Sequence, residues 1–303
     1  MSSLKEIKNR INSVKSTRQI TSAMKMVASA KLHKAQARIS NMLPYQQKLH
    51  GILTRFLSTD TAFRTPYTEV RPVQKIAIVV CSSNSALCGA FNANISKMLE
   101  STLEAYRSLG KDNIFVYPIG KKVETATRKL GYTPQGSFTE LAEKPSFAGT
   151  VQLSELLMKQ FAEKQIDRVE LIYHHFKSTG NQVLTHETFL PIDLNAEKAE
   201  GESKEAEGEN KETANTQGYT NDYIVEPSVE EFVTALLPRT LNQKLYTMLA
   251  DSNVSEHAAR MLAMQTATDN ANTLIQDLTK QYNKSRQQAI TNELLDIVGG
   301  SMK

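Results

Sequence analysis

Apolar residues over the first 57 positions fall on two interleaved seven-residue series. One runs Ile7, Val14, Thr21, Ala28, Ala35 and Met42. The other runs Leu4, Ile11, Arg18, Lys25, Leu32 and Ile39. Spacing of this kind over several heptads predicts a long helix with a narrow seam, the pattern of a coiled coil. Arg18 and Lys25 interrupt the seam. They either weaken the pairing locally or mark where the helix meets something other than its partner. Pro44 is expected to kink or divide the helix.

The other end of the chain has a similar rhythm. No Pro follows Pro238, and no Gly occurs between Pro238 and Gly299. The stretch from Arg239 to Val298 is rich in good helix formers and predicts one helix of roughly 90 Å. Gly299-Gly300 is read as its C-terminal stop. Ala271, Ile275, Leu278 and Tyr282 form its seam, and Ile290, Leu294 and Ile297 are read as continuing it in a shifted phase. Taken alone, this seam fits one helix of a bundle better than a coil. Val229 to Leu237 is read as a separate short helix ended by Pro238.

Between the two ends the period changes. Lys75 to Cys81 is a continuous apolar run typical of a strand buried on both faces. Helix is predicted from Phe91 to Leu109, Lys121 to Leu130 and Val151 to Lys164. Strand is predicted over Asn113–Ile119, Asp167–Phe176 and Gln182–Leu190, with a short one at Tyr132–Gln135. Alternating strand and helix implies a mainly parallel, Rossmann-like sheet. The short turn Thr179-Gly180-Asn181 implies an antiparallel edge hairpin. The predicted organisation has an N-terminal coiled-coil helix (1–57) and an α/β domain (73–194). An acidic insert (195–222) and C-terminal helices (228–303) follow, with the long coiled-coil helix starting at about 239. Asp60 to Pro72 reads as a linker. The insert is rich in Glu, Lys, Gly and Asn and is expected to be solvated.

Charge modifies this picture in one place. The net charge of +4 is too mild to imply nucleic acid. The first helix is different: Lys5, Lys8, Arg10, Lys15, Arg18, Lys25, Lys31, Lys34 and Arg38 face only Glu6 up to Ser40. An acidic partner and a merely solvated face are both open readings. Two cysteines, Cys81 and Cys88, make neither a disulfide framework nor a zinc pattern. No signal peptide is visible. The longest apolar run is far too short to cross a bilayer, so membrane association would go through partners.

Candidate chemistry is sparse. The loop Ser82-Ser-Asn-Ser-Ala-Leu-Cys-Gly-Ala-Phe-Asn92 stands where open α/β sheets bind ligands, yet neither GxGxxG nor GxxxxGK[ST] is present. A plain connecting turn is the better reading. Cys88 reads as a small core thiol rather than a nucleophile. His174 and His175 are adjacent on a strand and point to opposite faces, a poor metal geometry. His33 and His257 are isolated. No acid/base pair, metal site, cofactor motif or nucleophile triad is evident. An interaction protein is the reading of the residues alone. Its rivals are a basic coiled-coil scaffold for nucleic acid and an α/β enzyme using the Cys88 loop.

Three stretches resemble one family. Ile11-Asn-Ser-Val-Lys-Ser-Thr-Arg-Gln-Ile-Thr-Ser-Ala-Met-Lys-Met-Val-Ala-Ser-Ala-Lys-Leu32 is similar to the N-terminal helix of the gamma subunit of rotary F-type ATP synthases. Leu87-Cys-Gly-Ala-Phe-Asn92 resembles that family's loop after the first strand. Ser255–Met264, Ala267–Ala271, Tyr282–Gln287 and Ala289–Leu294 resemble its C-terminal signature. The resemblance implies a non-catalytic central-stalk rotor without a cofactor. Its terminal helices would form an antiparallel coiled coil inside a hexamer of alpha and beta subunits. Its α/β domain would meet epsilon and the ring of c subunits. The expected place is the cytoplasmic face of a bacterial inner membrane, held there peripherally. The role implied is to couple proton flow to ATP synthesis or hydrolysis by rotation and to regulate both. Matching motifs place hexamer contacts at Met24, Lys25, Arg260, Gln287 and Thr291, and a c-ring or epsilon contact at Glu226. The loop departs from the family pattern, with Asn84-Ser85-Ala86 for Asp-Arg-Gly and Ala90 for a Gly. That departure leaves open any salt bridge or sharp turn there.

Overall fold

The computed structural model describes residues 4–59, 65–192 and 228–301. The insert predicted at 195–222 and Glu226 lie outside them. In chain order, a long helix comes first, a four-stranded sheet with its helices follows, and a second long helix comes last. The first, α1, runs unbroken from Leu4 to Thr59 with Pro44 inside it. Pro44 does not divide it. The carbonyl robbed of its partner belongs to Ser40, which is exposed and open to water.

The strands are β1 (Ile76–Cys81), β2 (Ile114–Ile119), β3 (Arg168–Ser178) and β4 (Asn181–Leu190). Their order is β2-β1-β3-β4. β1 is parallel to both neighbours, and β4 returns antiparallel along β3. The sheet is therefore mainly parallel with an antiparallel edge. The short strand expected near Tyr132 is a single bridge, Val116 to Pro134. The helices between strands are α2 (Phe91–Ala105), α3 (Lys121–Lys129), a one-turn α4 (Thr139–Glu143) and α5 (Phe147–Ala162).

Side chains of β1 alternate strictly between two cores, as a two-period strand requires. Ala77, Val79 and Cys81 face a cluster with Leu153, Leu157 and Phe161 of α5. Ile76, Ile78 and Val80 face another with Ile95, Leu99 and Leu103 of α2. Both faces are covered, which explains the continuous apolar run.

The last helix, α6, is continuous from Val229 to Ser301. This corrects two expectations. Pro238 does not end a short helix: the carbonyl it leaves without an amide partner is that of exposed Thr234, while Leu237 and Leu241 on either side are buried in the α5-side core. Gly299-Gly300 does not stop the helix either; it reaches Ser301.

The chain divides into two compact units. One comprises residues 1–32, 87–89 and 257–303, the other 33–86 and 90–256. The sheet with its two cores belongs to the second.

Candidate partner-contact surface

In the first unit, α1 and α6 run antiparallel. The Thr21 and Thr268 hydroxyls share a hydrogen bond of 2.8 Å. The Arg18 guanidinium donates to Asn272 Oδ1 at 3.3 Å. Sequence number rises on one helix as it falls on the other. Carried along the pair, this register sets Ile11 against Leu278, Ile7 against Tyr282 and Leu4 against Ser285. Burial agrees: Ile7, Thr21, Ala28 and Leu32 of α1 are buried, as are Ala258, Met264, Ala271 and Leu278 of α6. All twelve positions of the two heptad series on α1 are buried or half-buried. Arg18 and Lys25 are half-buried seam members, and Arg18 has a polar partner across the seam.

The shifted continuation at the C-terminal end is wrong. Half-buried Ser285 and Ala289 keep the phase of Leu278 and Tyr282. Ile290, Leu294 and Ile297 are instead exposed, at 47%, 57% and 68%, and Leu295 joins them at 64%. The register explains this. Leu4 is already reached at Ser285, so the apolar residues from Ile290 onward lie past the described start of α1. About 18 Å of helix extends there. Ile20, Met26 and Val27 of α1 and Leu262 and Leu274 of α6 are exposed as well.

The residues placed by motif are distributed along this pair. Met24, Lys25 and Arg260 are half-buried, and Gln287 and Thr291 are exposed. Thr291 is one turn after Gln287, and its hydroxyl donates to the Gln287 carbonyl at 2.9 Å. Around the Ile7 end, Lys5, Lys8, Arg10, Lys280, Lys284 and Arg286 are all exposed. The cationic face read from α1 is thus joined by cations of α6. His257 is held almost unprotonated, its pKa lowered to about 4 by burial and by the positive charges of Lys31 and Arg260.

The sites of possible enzymatic chemistry resolve differently. In the second unit the Ser- and Asn-rich loop spends its oxygens on the start of α3. Ser82 Oγ accepts from Val123 N–H at 2.9 Å and Asn84 Oδ1 from Lys121 N–H at 3.0 Å. Two first-turn amides of α3 are thereby taken by the loop. Gly120 lets the two segments meet: its φ is +108°, and a Cβ there would lie 2.3 Å from the Ser82 carbonyl oxygen. Ala90 sits in ordinary right-handed backbone, so no glycine is needed at that position. The positive φ values fall on Leu87 and Gly89.

The C-terminal edge of the sheet is plugged by α6 itself. The Cys81 thiol donates to the Met248 sulfur at 3.3 Å, and burial pushes that thiol far above its ordinary pKa. The Asp251 carboxylate accepts from Phe176 N–H at 2.9 Å and bonds His175 Nδ1. Ser255 Oγ donates to the His174 carbonyl at 3.0 Å. The two histidines do point apart: His174 is buried and stacks on Phe91 at 4.3 Å, while His175 is exposed. Among the described residues no cluster of His, Cys, Asp or Glu could hold a metal. No described helix is long and apolar enough to cross a membrane.

One buried group escaped the sequence reading. Glu170 on β3 accepts from Tyr106 OH and His186 Nε2 at 2.5 and 2.7 Å, with Arg168 Nε at 3.1 Å. Burial pushes its pKa up. The hydrogen bonds from His186 and Tyr106 and the charges of His186 and Arg168 outweigh that, and it ends below the usual range. Tyr106 is raised to about 12, by burial first and then by Glu170.

Comparison with known proteins was decisive. The family model described as ATP synthase matches residues 3–302. The ATP synthase gamma chain of Bacteroides fragilis is 62% identical over 302 residues, covering 100% of both chains. That of Christiangramia forsetii is 42% identical, covering 99% of this chain and 98% of its own. A cryo-EM structure of the Euglena gracilis mitochondrial ATP synthase rotor shares the fold with a TM-score of 0.60 at 19% identity, covering 95% of this chain and 98% of that one. A second, of the central stalk and c ring from Tetrahymena thermophila, has a TM-score of 0.58 at 23% identity, covering 82% and 99%. With 62% identity along its entire length, this chain belongs to the ATP synthase gamma chain family.

Proposed function

We propose that this chain is the central-stalk rotor of a proton-translocating F-type ATP synthase. The observation that carries the reading is the antiparallel pairing of the two chain ends over the motifs shared with the family. Two helices locked along a seam can transmit torque. Their outward side in AMKMVASA and MLAMQTATDNANT is mostly small, polar or pliable Met, with Val27 and Leu262 as the larger exposed apolar side chains, which limits deep anchoring at one angle. In this reading the pair turns inside a hexamer of alpha and beta subunits, touching it through Met24, Lys25, Arg260, Gln287 and Thr291. The exposed apolar end of α6 needs a hydrophobic surround, and the cations near Ile7 attract acidic loops without rigid contact. The α/β part meets epsilon and the c ring, with Glu226 on that side. The chain itself holds no catalytic site. It couples proton flow to ATP synthesis or hydrolysis, regulates both, and sits on the cytoplasmic face of the inner membrane through its partners.

Purification of the tagged chain in mild detergent, with subunit identification, tests the assembly. Alpha, beta, epsilon and c subunits are expected. A lone chain with salt-dependent DNA affinity would favour the nucleic-acid scaffold instead. Within the complex, Met24→Lys should lower the ratio of ATP-driven proton pumping to ATP hydrolysis. An unchanged ratio would count against Met24 as a contact.

A further inference from the structure

A notch of about 390 Å³ opens on the paired helices of the first unit, lined by Arg18, Gln19, Ser22, Thr268 and Asn272. No carboxylate lines it. The nearby acid on α6, Asp269, is exposed and already takes two hydrogen bonds from Gln265, at 2.9 and 2.8 Å. Arg18 occupies a seam position, so its stem is half-buried and held between the helices while its head reaches the notch. Its described hydrogen bond is a single long one, 3.3 Å to the Asn272 amide oxygen. A guanidinium carries five donors in a fork shaped for an oxyanion. Asn272 spends its oxygen on Arg18, which leaves its amide N–H2 pointing the same chemistry at the notch. Ser22 and Gln19 add further donors. A seam cation costs coil stability.

We propose that this notch is an oxyanion latch, and that its occupant is a carboxylate carried by a subunit wrapped around the helix pair. The proposal rests on the rotor reading for its partner. One half-exposed guanidinium attracts a free anion only weakly at physiological salt. A carboxylate held beside it by an assembled complex acts at an effective concentration of the order of millimolar or more. The latch is polar and shallow, so it marks an angle without fixing it.

The test uses the assembled complex. In the Arg18→Lys variant, a water-soluble carbodiimide joins the Lys amine to a carboxylate in contact, with loss of water and formation of an amide. Peptide mass spectrometry should show position 18 linked to an Asp or Glu of another subunit. The same link should be absent from wild type and from Arg18→Gln. A link only to Asp269 of this chain, or none while Lys25 still cross-links to neighbours, overturns the latch. If no complex forms even in wild type, the rotor reading fails instead, a separable outcome. In a second arm the full chain is titrated with inorganic phosphate while the Asn272 side-chain amide is followed by NMR. Saturation below 1 mM would identify a free-anion site and overturn the partner-borne assignment; a linear drift supports it.

Discussion

The two halves of α6 make the most instructive contrast in the molecule. They are one unbroken helix, yet the first half is buried on several sides and the second along one line. Before position 257, Leu237, Leu241, Leu245, Met248, Leu249, Ala250 and Val254 are all buried, and so are Asn242, Ser252, Asn253, Ser255 and Glu256. After it, Ala258, Met264, Ala271 and Leu278 are the described buried residues. A helix lying on a sheet meets neighbours on both flanks and must satisfy its polar groups there. Asn253 donates to the Ala142 carbonyl at 3.1 Å and Ser255 to that of His174. A helix with a single partner hides about two residues in seven. Helical propensity is similar throughout, so what differs is the surroundings.

Substitutions can break or sharpen this contrast. The largest effect is expected at Leu245→Ala, about 4 kcal/mol, because its site cannot collapse against sheet and α5 together. Leu278→Ala should cost about 2 kcal/mol, since a seam next to solvent relaxes. Denaturant unfolding of the full chain checks both, and equal losses would refute the contrast. Gly120→Ala should cost about 3 kcal/mol, combining a strained φ with the clash against Ser82. Wild-type stability in that variant would remove the brace between β1's loop and α3.

The Glu170 cluster sharpens the contrast through pH. A carboxylate whose folded pKa is depressed contributes stability that is fully present above its unfolded value, about 4.3. That stability is lost as pH falls through the lower folded value. Glu170→Gln should therefore flatten the stability profile of the sheet unit below about pH 4.3. An unchanged acid limb would exclude Glu170 as a source of acid sensitivity. The smallest effect is expected at Ile297→Ser. It should change the stability of the isolated chain by less than about 0.5 kcal/mol, because the side chain is 68% exposed. Its yield in the purified complex should nevertheless fall, and an unaffected yield would deny the exposed end a partner.

What was legible in the sequence follows the same division. The α1 seam could be read because heptads repeat locally, and β1 because both its faces are apolar. The α6 seam past Tyr282 could not: Ser285 and Ala289 are small, while the conspicuous Ile290, Leu294 and Ile297 face solvent. Burial there depends on where α1 begins, some 280 residues earlier in the chain. Pro238 read as a break because propensity ignores the packing of Leu237 and Leu241. Arg18 reads as weakening the pairing or as meeting something other than the partner helix, because Asn272 is far away in sequence. Asp251 and Glu170 carried no motif; their partners come from other elements. The contact residues were placed by resemblance, and the spacing alone would not have singled out Gln287 or Thr291.

The antiparallel register has a practical corollary for anyone trimming the gene. Stop codons introduced progressively upstream of Gly299 would shed side chains that are exposed from Ile290 to Val298 before reaching any that face α1. Such shortened products should express and melt like the parent, so that a shortfall in their performance reports on docking rather than on folding.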